Sequence, residues 1–239
     1  MTGALVLTGV ELEARRLARE LELPRSADLL PFPVYEGSRN RVRLRVVPVG
    51  LRAALLPDRW PALTRDLASP VLIAAGSCGA LAPGLAVGDL VLPESVLGPA
   101  GERLNVTPGL HAAAVRLAAG AWTGLLLSSS EVIATPEAKA ERWRATGASA
   151  VDMESAAILA WASRHGSASV VVRAVSDTAL QLLPGELVGL VTRAGSLRHG
   201  RALVVALTYP RAVPHALVLH RGTRMALKAV ARLIAALVG

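Results

Sequence analysis

A single α/β layered domain is the fold class this sequence predicts, and three observations predict it. Short apolar runs alternate with amphipathic stretches, the pattern of strands and helices packed in layers. The 239 residues suit one such domain. Hydrophobic residues make up 52% of the chain and aromatics only 3%, so a large core is expected and must be built from Ala, Val and Leu. No internal repeat, low-complexity linker or domain boundary interrupts residues 1–239. The Pro-rich stretches 24–33 and 208–214 read as connections.

The elements follow in order. Residues 4–8 (ALVLT) are an apolar run between glycines and read as a buried strand. Residues 11–23 carry leucines at 12, 17, 21 and 23 with charges between, an amphipathic helix that Pro24 ends. Residues 41–49 alternate Arg with apolar residues, which predicts a strand with one wet face. Residues 71–75 and 89–92 read as strands on either side of a glycine loop. Residues 108–120 predict an Ala-rich helix, and 124–127 a strand that runs into the polar loop SSSEVIATP. Residues 136–146 predict a helix with Pro136 in its first turn. Residues 152–165 predict a helix ended by Gly166, and 168–175 (ASVVVRAV) a strand buried on both faces.

Composition excludes several classes. Cys78 is the only cysteine, so no intrachain disulfide forms, which fits a cytoplasmic location. The opening MTGALVLTGVELEARR lacks the charge order and cleavage site of a signal peptide. Residues 71–92 hold one ionised side chain, Asp89, yet five helix-breaking Gly and Pro positions argue against a membrane span. Neither a GxGxxG nor a GxxxxGK[ST] motif is present, nor a GxSxG elbow, and the histidines lack HxxxH or HExxH spacing.

Several residues are candidates for chemistry. Ser176-Asp177 ends the 168–175 strand, where α/β folds collect ligands, although Ser and Asp also favour turns and helix caps. Arg173 interrupts that apolar strand and needs a partner if buried. Asp152 and Glu154 suit the first turn of a helix, and Glu154 also suits the hydroxyls of a diol if it points into a cleft. The GSCGAL segment, with Ser77 and Gly79, is either a tight turn or a cradle of backbone amides for an anion or sugar oxygen. Glu13, early in the first helix and just after the first strand, reads as a solvated helix residue. Cys78 has no neighbour in sequence to activate it as a nucleophile.

Together three segments resemble the purine nucleoside phosphorylase and methylthioadenosine/adenosylhomocysteine nucleosidase superfamily. They are GSCGALAPGLAVGDLVLPESV (76–96), AVDMESAAI (150–158) and VVVRAVSD (170–177), in family order and at family-like spacing. The likeness runs from the first strand to about residue 185. It implies a three-layer fold, a central mixed twisted sheet flanked by helices. It also implies roles. Asp177 is the general acid that protonates the leaving base. Met153 packs on the ribose and Glu154 binds its 2′ and 3′ hydroxyls. Ser77 and Arg173 border the nucleophile pocket, with Gly79 and Ser176 beside the substrate. Glu13 activates water, and the peptide near Val132 lines the base site. The resemblance further implies a nucleoside substrate rather than nucleic acid, no metal or organic cofactor, and a homo-oligomer.

The sequence departs from the phosphorylases of this family. Bacterial hexameric members keep an arginine just before the GSCGA segment, where this chain has Ile73-Ala74-Ala75. Their phosphate loop with Gly and Arg is replaced by Gly9-Val10-Glu11-Leu12-Glu13. A glutamate there repels phosphate and is placed to deprotonate water, so hydrolysis is expected. A phosphate-dependent phosphorylase is the alternative, and a non-catalytic nucleoside-binding relative is the alternative of another class. The presence together of Glu13, Glu154, Arg173 and Asp177 speaks against the latter. LTGVELEARRLA, DTALQLLP and the tail YPRAVPHAL resemble the hopanoid-associated branch, whose members remove adenine from adenosylhopane. Futalosine and methylthioadenosine or adenosylhomocysteine are the other substrates in view.

The net charge of +8 is unevenly placed. Every acidic residue lies at or before Glu186, and eight of the 26 Lys and Arg follow it. A helix from His220 aligns Arg221, Arg224, Lys228 and Arg232 in one stripe, with Leu227, Val230, Leu233, Ile234 and Leu237 opposite. Either the stripe is simply solvated, or it contacts anionic membrane lipid.

Overall fold

The computed structural model describes residues 3–26, 32–67, 69–183 and 212–239. Among these, ten strands join in one mixed sheet. Its path is β2 (Tyr35–Arg39), β3 (Val42–Pro48), β1 (Gly3–Thr8), β4 (Val71–Ala80), β9 (Ala150–Asp152), β8 (Leu125–Ser128), β6 (Ser95–Leu97) and β7 (Arg103–Asn105). Along the other edge of β4 runs β10 (Ser169–Asp177), and β5 (Leu90–Val91) pairs with β10.

The centre is the parallel trio β1, β4 and β10, in which Val6 faces Ile73 and Val170 faces Ile73 from the other side. β9 runs antiparallel to β4 and meets it only at Gly79 and Ala80. The carboxyl end of β9 therefore arrives beside the carboxyl ends of the trio. This reversal of strand direction opens a crevice there.

Side-chain alternation splits the core into two layers. Leu5, Leu7, Leu72, Ala74, Val171 and Val175 point to one face, against Leu56 and Leu63 of α2 (Leu56–Thr64) and Ile158 and Leu159 of α5 (Ser155–Arg164). Ala4, Val6, Ile73, Ala75, Val170 and Val172 point to the other, against Leu17 of α1 (Glu11–Glu20), Ala114 of α3 (Pro108–Leu117) and Leu227, Val230 and Ile234 of α6 (Ala212–Leu237). α4 (Pro136–Thr146) follows the loop after β8, with Pro136 in its first turn and Gly147 left-handed at its end. Helix, sheet and helix make the three layers expected.

Several boundaries differ from the sequence reading. GSCGA is not a loop: β4 continues through it, because Gly76 adopts a positive φ of 153° that keeps the strand paired with β10. The helix expected over 152–165 begins at Ser155, since Ala150–Asp152 is spent on β9. α1 ends at Glu20, three residues early, and Glu22 turns left-handed with φ 58°. The wet face of β3 is partly dry. Arg45 is buried, donating from Nε to Glu36 Oε2 at 2.8 Å and from Nη1 to the Leu63 carbonyl at 2.7 Å.

α6 starts at Ala212 rather than His220, and its faces divide as the spacing predicts. Leu227, Val230, Leu233 and Ile234 are buried, while Arg221, Arg224, Lys228 and Arg232 are exposed. Residues 27–31 of the first Pro-rich connection, 208–211 of the second, and the start of YPRAVPHAL lie outside the described residues, as do Pro184 and Glu186.

Candidate active site

A cavity of about 790 Å³ opens at the carboxyl ends of the central strands. Glu13, Ser77, Gly79, Val132, Met153, Glu154, Ser176 and Asp177 all line it, so eight of the nine candidate residues converge on one space. Each arrives by a different route. β1 runs out at Thr8, and the turn at Gly9 and Val10 brings Glu13 in on the first turn of α1. β4 supplies Ser77 and Gly79, and β10 supplies Ser176 and Asp177 at its last two positions. Met153 and Glu154 occupy the step from β9 into α5, with Glu154 at the helix N-cap position. Val132 comes from the loop after β8, and Leu219 and Thr223 of α6 complete the wall.

Arg173, the ninth, does not line the cavity. It is fully buried beneath it and organises the carboxylates. Its Nη2 lies 2.7 Å from Asp152 Oδ2 and 3.8 Å from Glu154 Oε2. Nε and Nη2 also reach Ser155 Oγ at 3.4 and 3.3 Å, and Nη1 donates to the Ser77 carbonyl at 3.5 Å. Burial works against its charge, but Asp152, Glu154 and Glu13 outweigh it and hold the guanidinium above its ordinary value. Gly76 makes this possible: a Cβ there meets Arg173 Nη1 and, at 2.9 Å, Glu13 Oε1.

Glu13 Oε1 accepts two hydrogen bonds from one residue, the Ser77 backbone N–H at 2.8 Å and the Ser77 Oγ–H at 2.8 Å. The carboxylate is thus clamped, buried and presented to the cavity. Glu154 accepts from the Arg52 N–H at 3.3 Å. Arg52 is left-handed (φ 57°), a strained conformation for a side chain of its size. Burial pushes Glu154 up to about 8; Arg173 opposes the rise, while Asp152 and Glu13 add to it. Gly9 passes so close that a Cβ there lies 2.7 Å from the Glu154 carboxyl carbon.

Asp177 is held on both oxygens. Ser176 Oγ lies 2.8 Å from Oδ1, and also 3.1 Å from the Cys78 carbonyl, between which its single proton chooses. Lys139 Nζ, from the first turn of α4, donates to Oδ2 at 2.7 Å. Cys78 is buried, and burial pushes its thiol up, away from nucleophilic use.

Lys139 and Asp152 were not singled out as site residues from sequence. Asp152 adjoins Met153, and its part is visible only once Arg173 is seen to need a partner. Lys139 meets Asp177 across 38 positions, which leaves no local pattern. One compositional signal pointed to it. Of 26 cationic side chains 24 are arginine, and Lys139 is one of two lysines.

The arrangement joins a clamped carboxylate, a raised carboxyl and a paired carboxyl around a space large enough for a nucleoside. No group of three His, Cys, Asp or Glu among the described residues is placed to hold a metal ion.

The family model described as "Phosphorylase superfamily" matches residues 5–204. No curated protein matches. Among solved structures, the 5′-methylthioadenosine/S-adenosylhomocysteine nucleosidase of Neisseria meningitidis, in complex with methylthio-immucillin-A, superposes with a TM-score of 0.74. It is 22% identical and covers 100% of this chain and 99% of its own. The S-adenosylhomocysteine nucleosidase of Streptococcus pyogenes has a TM-score of 0.72 at 20% identity, covering 99% and 95%. The futalosine hydrolase of Helicobacter pylori has a TM-score of 0.73 at 15% identity, covering 99% and 97%. At these identities the likeness is one of fold.

Proposed function

The chain belongs to the phosphorylase superfamily, and from that premise we propose that it is a nucleosidase, hydrolysing the N-glycosidic bond of a purine nucleoside. The observation that carries this reading is the Glu13 carboxylate seated on both donors of Ser77. An attacking phosphate needs such donors and no anion beside them. Here they are taken by an anion, which repels phosphate and is placed to accept a proton from water.

The steps follow from the lining residues. Glu154 takes the ribose hydroxyls, Met153 packs on the sugar, and the peptide near Val132 faces the base. Asp177 gives its carboxyl proton to a ring nitrogen as the bond to C1′ breaks and its electron pair goes to the base. The sugar passes through an oxocarbenium-like state. Glu13 takes a proton from water as the water oxygen bonds to C1′. Arg173 fixes the distance between Asp152, Glu154 and the Ser77 strand. Protonation of a poor leaving group by a placed acid contributes roughly 10²–10⁴-fold.

An adenine-type nucleoside fits this chemistry, and methylthioadenosine, adenosylhomocysteine, futalosine, inosine and a lipid-linked adenosine are the panel to test. The resemblance to the family also supports a homo-oligomer. The single buried cysteine fits a cytoplasmic setting, and the basic stripe of α6 supports peripheral contact with anionic lipid.

The test is an assay of that panel with and without inorganic phosphate. Release of free base and free sugar, unchanged by phosphate, is expected. Glu13→Gln is expected to abolish turnover while adenine still binds by calorimetry. A rate that vanishes without phosphate and saturates with it establishes the phosphorylase instead. Turnover retained by Asp177→Asn removes Asp177 as the acid.

A further inference from the structure

Lys139 is fully buried and sits where a helix does not favour it. It lies in the first turn of α4, whose unpaired N–H groups and dipole make that end positive. A lysine is rarely buried completely. Only two cations are this deeply buried among the described residues, Arg173 and Lys139, and each is paired with a carboxylate of the cavity region. All three protons of the ammonium are used: Asp177 Oδ2 at 2.7 Å, the Thr178 carbonyl at 2.8 Å and the Gln181 carbonyl at 3.1 Å. These acceptors belong to one turn, at the end of β10. An arginine's planar fork does not converge on three such points, whereas a compact ammonium does.

We infer that Lys139 is a positioning residue for Asp177: it aims the carboxyl at the base and receives the negative charge that proton transfer leaves there. The inference rests on the nucleosidase reading. When the Asp177 O–H proton moves to the ring nitrogen, the C1′–N electron pair goes to the base and Asp177 becomes a carboxylate. That anion forms in a buried place, where an uncompensated charge is costly. Lys139 Nζ stands 2.7 Å away. It is charge placed in advance where charge develops, so little needs to reorganise at the moment of reaction. Its two carbonyl contacts fix the ammonium itself, so the carboxyl and the turn behind it are held as one unit.

A purely structural clamp makes a different prediction from a partner of the acid. The difference lies in the leaving group. A purine must be protonated to leave; 4-nitrophenolate leaves as the anion and needs no acid. The experiment compares wild type and Lys139→Met on the best purine nucleoside of the panel and on 4-nitrophenyl β-ribofuranoside. Lys139→Met is expected to lower kcat on the purine nucleoside roughly 10–100-fold, part of what a placed acid contributes, with a much smaller loss on the nitrophenyl riboside. KM for the purine nucleoside is expected to change little, since Lys139 does not line the cavity.

A second arm covers the case in which Lys139→Met leaves Asp177 unpaired and unfolds the protein, or in which the riboside is not cleaved. Asp177→Asn/Lys139→Met removes both charges and is compared with Asp177→Asn alone. Equal purine rates are expected, because a residue that acts only through Asp177 has nothing left to act on. Equal losses on both leaving groups, or a double variant slower than Asp177→Asn, overturns the inference. A wild type that cleaves no purine nucleoside defeats the nucleosidase reading instead, and the two failures are distinct.

Discussion

Glu154 shows how one residue's surroundings become a measurable property. An ordinary glutamate titrates near 4.5, and burial lifts Glu154 to about 8, with Asp152 and Glu13 adding to the rise against Arg173. Between those values the folded state binds the extra proton and the unfolded chain does not. Stability from this group is therefore fully present below about 4.5 and is lost as pH rises through about 8. Glu154→Gln does not titrate and removes that slope. Melting curves at pH 5 and pH 8 are expected to show the wild type losing ground to the variant as pH rises. Parallel melting temperatures at both values mean that Glu154 is ionised in the folded protein throughout.

At the scale of elements, the contact between α6 and β10 sets the cavity wall. Gly222 of α6 presses on the Ser176 carbonyl, and a Cβ there cannot be accommodated without moving one of the two backbones. Leu219, about one turn before it, and Thr223, the next residue, line the cavity. Gly222→Ala is thus expected to cost about 1–3 kcal/mol, the range for overpacking, and to raise KM as the helix shifts. Urea unfolding and steady-state kinetics check it; a variant as stable and as active as wild type shows that α6 is free to slide. This contact was not legible in sequence. Elements with a strong local signature were: β10 is rich in valine, and α4 is bracketed by Pro136 and Gly147. β4 was cut short because its glycines imitate a turn, although Gly76 and Gly79 are small for the sake of Arg173, Glu13 and Asp177. The three-residue strands β6, β7 and β9 are too short to show a period. Glu154 and Asp177 could be read because they stand beside Met153 and Ser176, whereas Glu13 was placed by the family resemblance alone. Lys139, Asp152 and Gly222 gain their meaning only from partners far along the chain.

The whole molecule is polarised in charge. Its net +8 arises after Glu186, where no acid follows, and α6 exposes Arg221, Arg224, Lys228 and Arg232 with no acidic partner among the described residues. No described helix is long and apolar enough to cross a membrane. If the stripe docks on anionic lipid, each cation contributes roughly 1 kcal/mol. Sedimentation is then expected to recover the protein with anionic but not neutral vesicles, and the binding is expected to be lost at high salt and in an Arg221/Arg224/Lys228/Arg232 to Gln variant. Absence of binding at low salt leaves the stripe as a solvated face.

The same helix carries a consequence for how the molecule comes into being. A ribosome delivers Glu13 first and Asp177 much later, yet Leu219 and Thr223 close the cavity only after both. A nascent chain paused past Asp177 already carries Glu13, Glu154 and Asp177, but lacks the part of the wall that α6 supplies. Synthesis order therefore sets assembly order: the cavity gains the part of its wall made by Leu219 and Thr223 only once α6 has left the exit tunnel and folded back on the sheet.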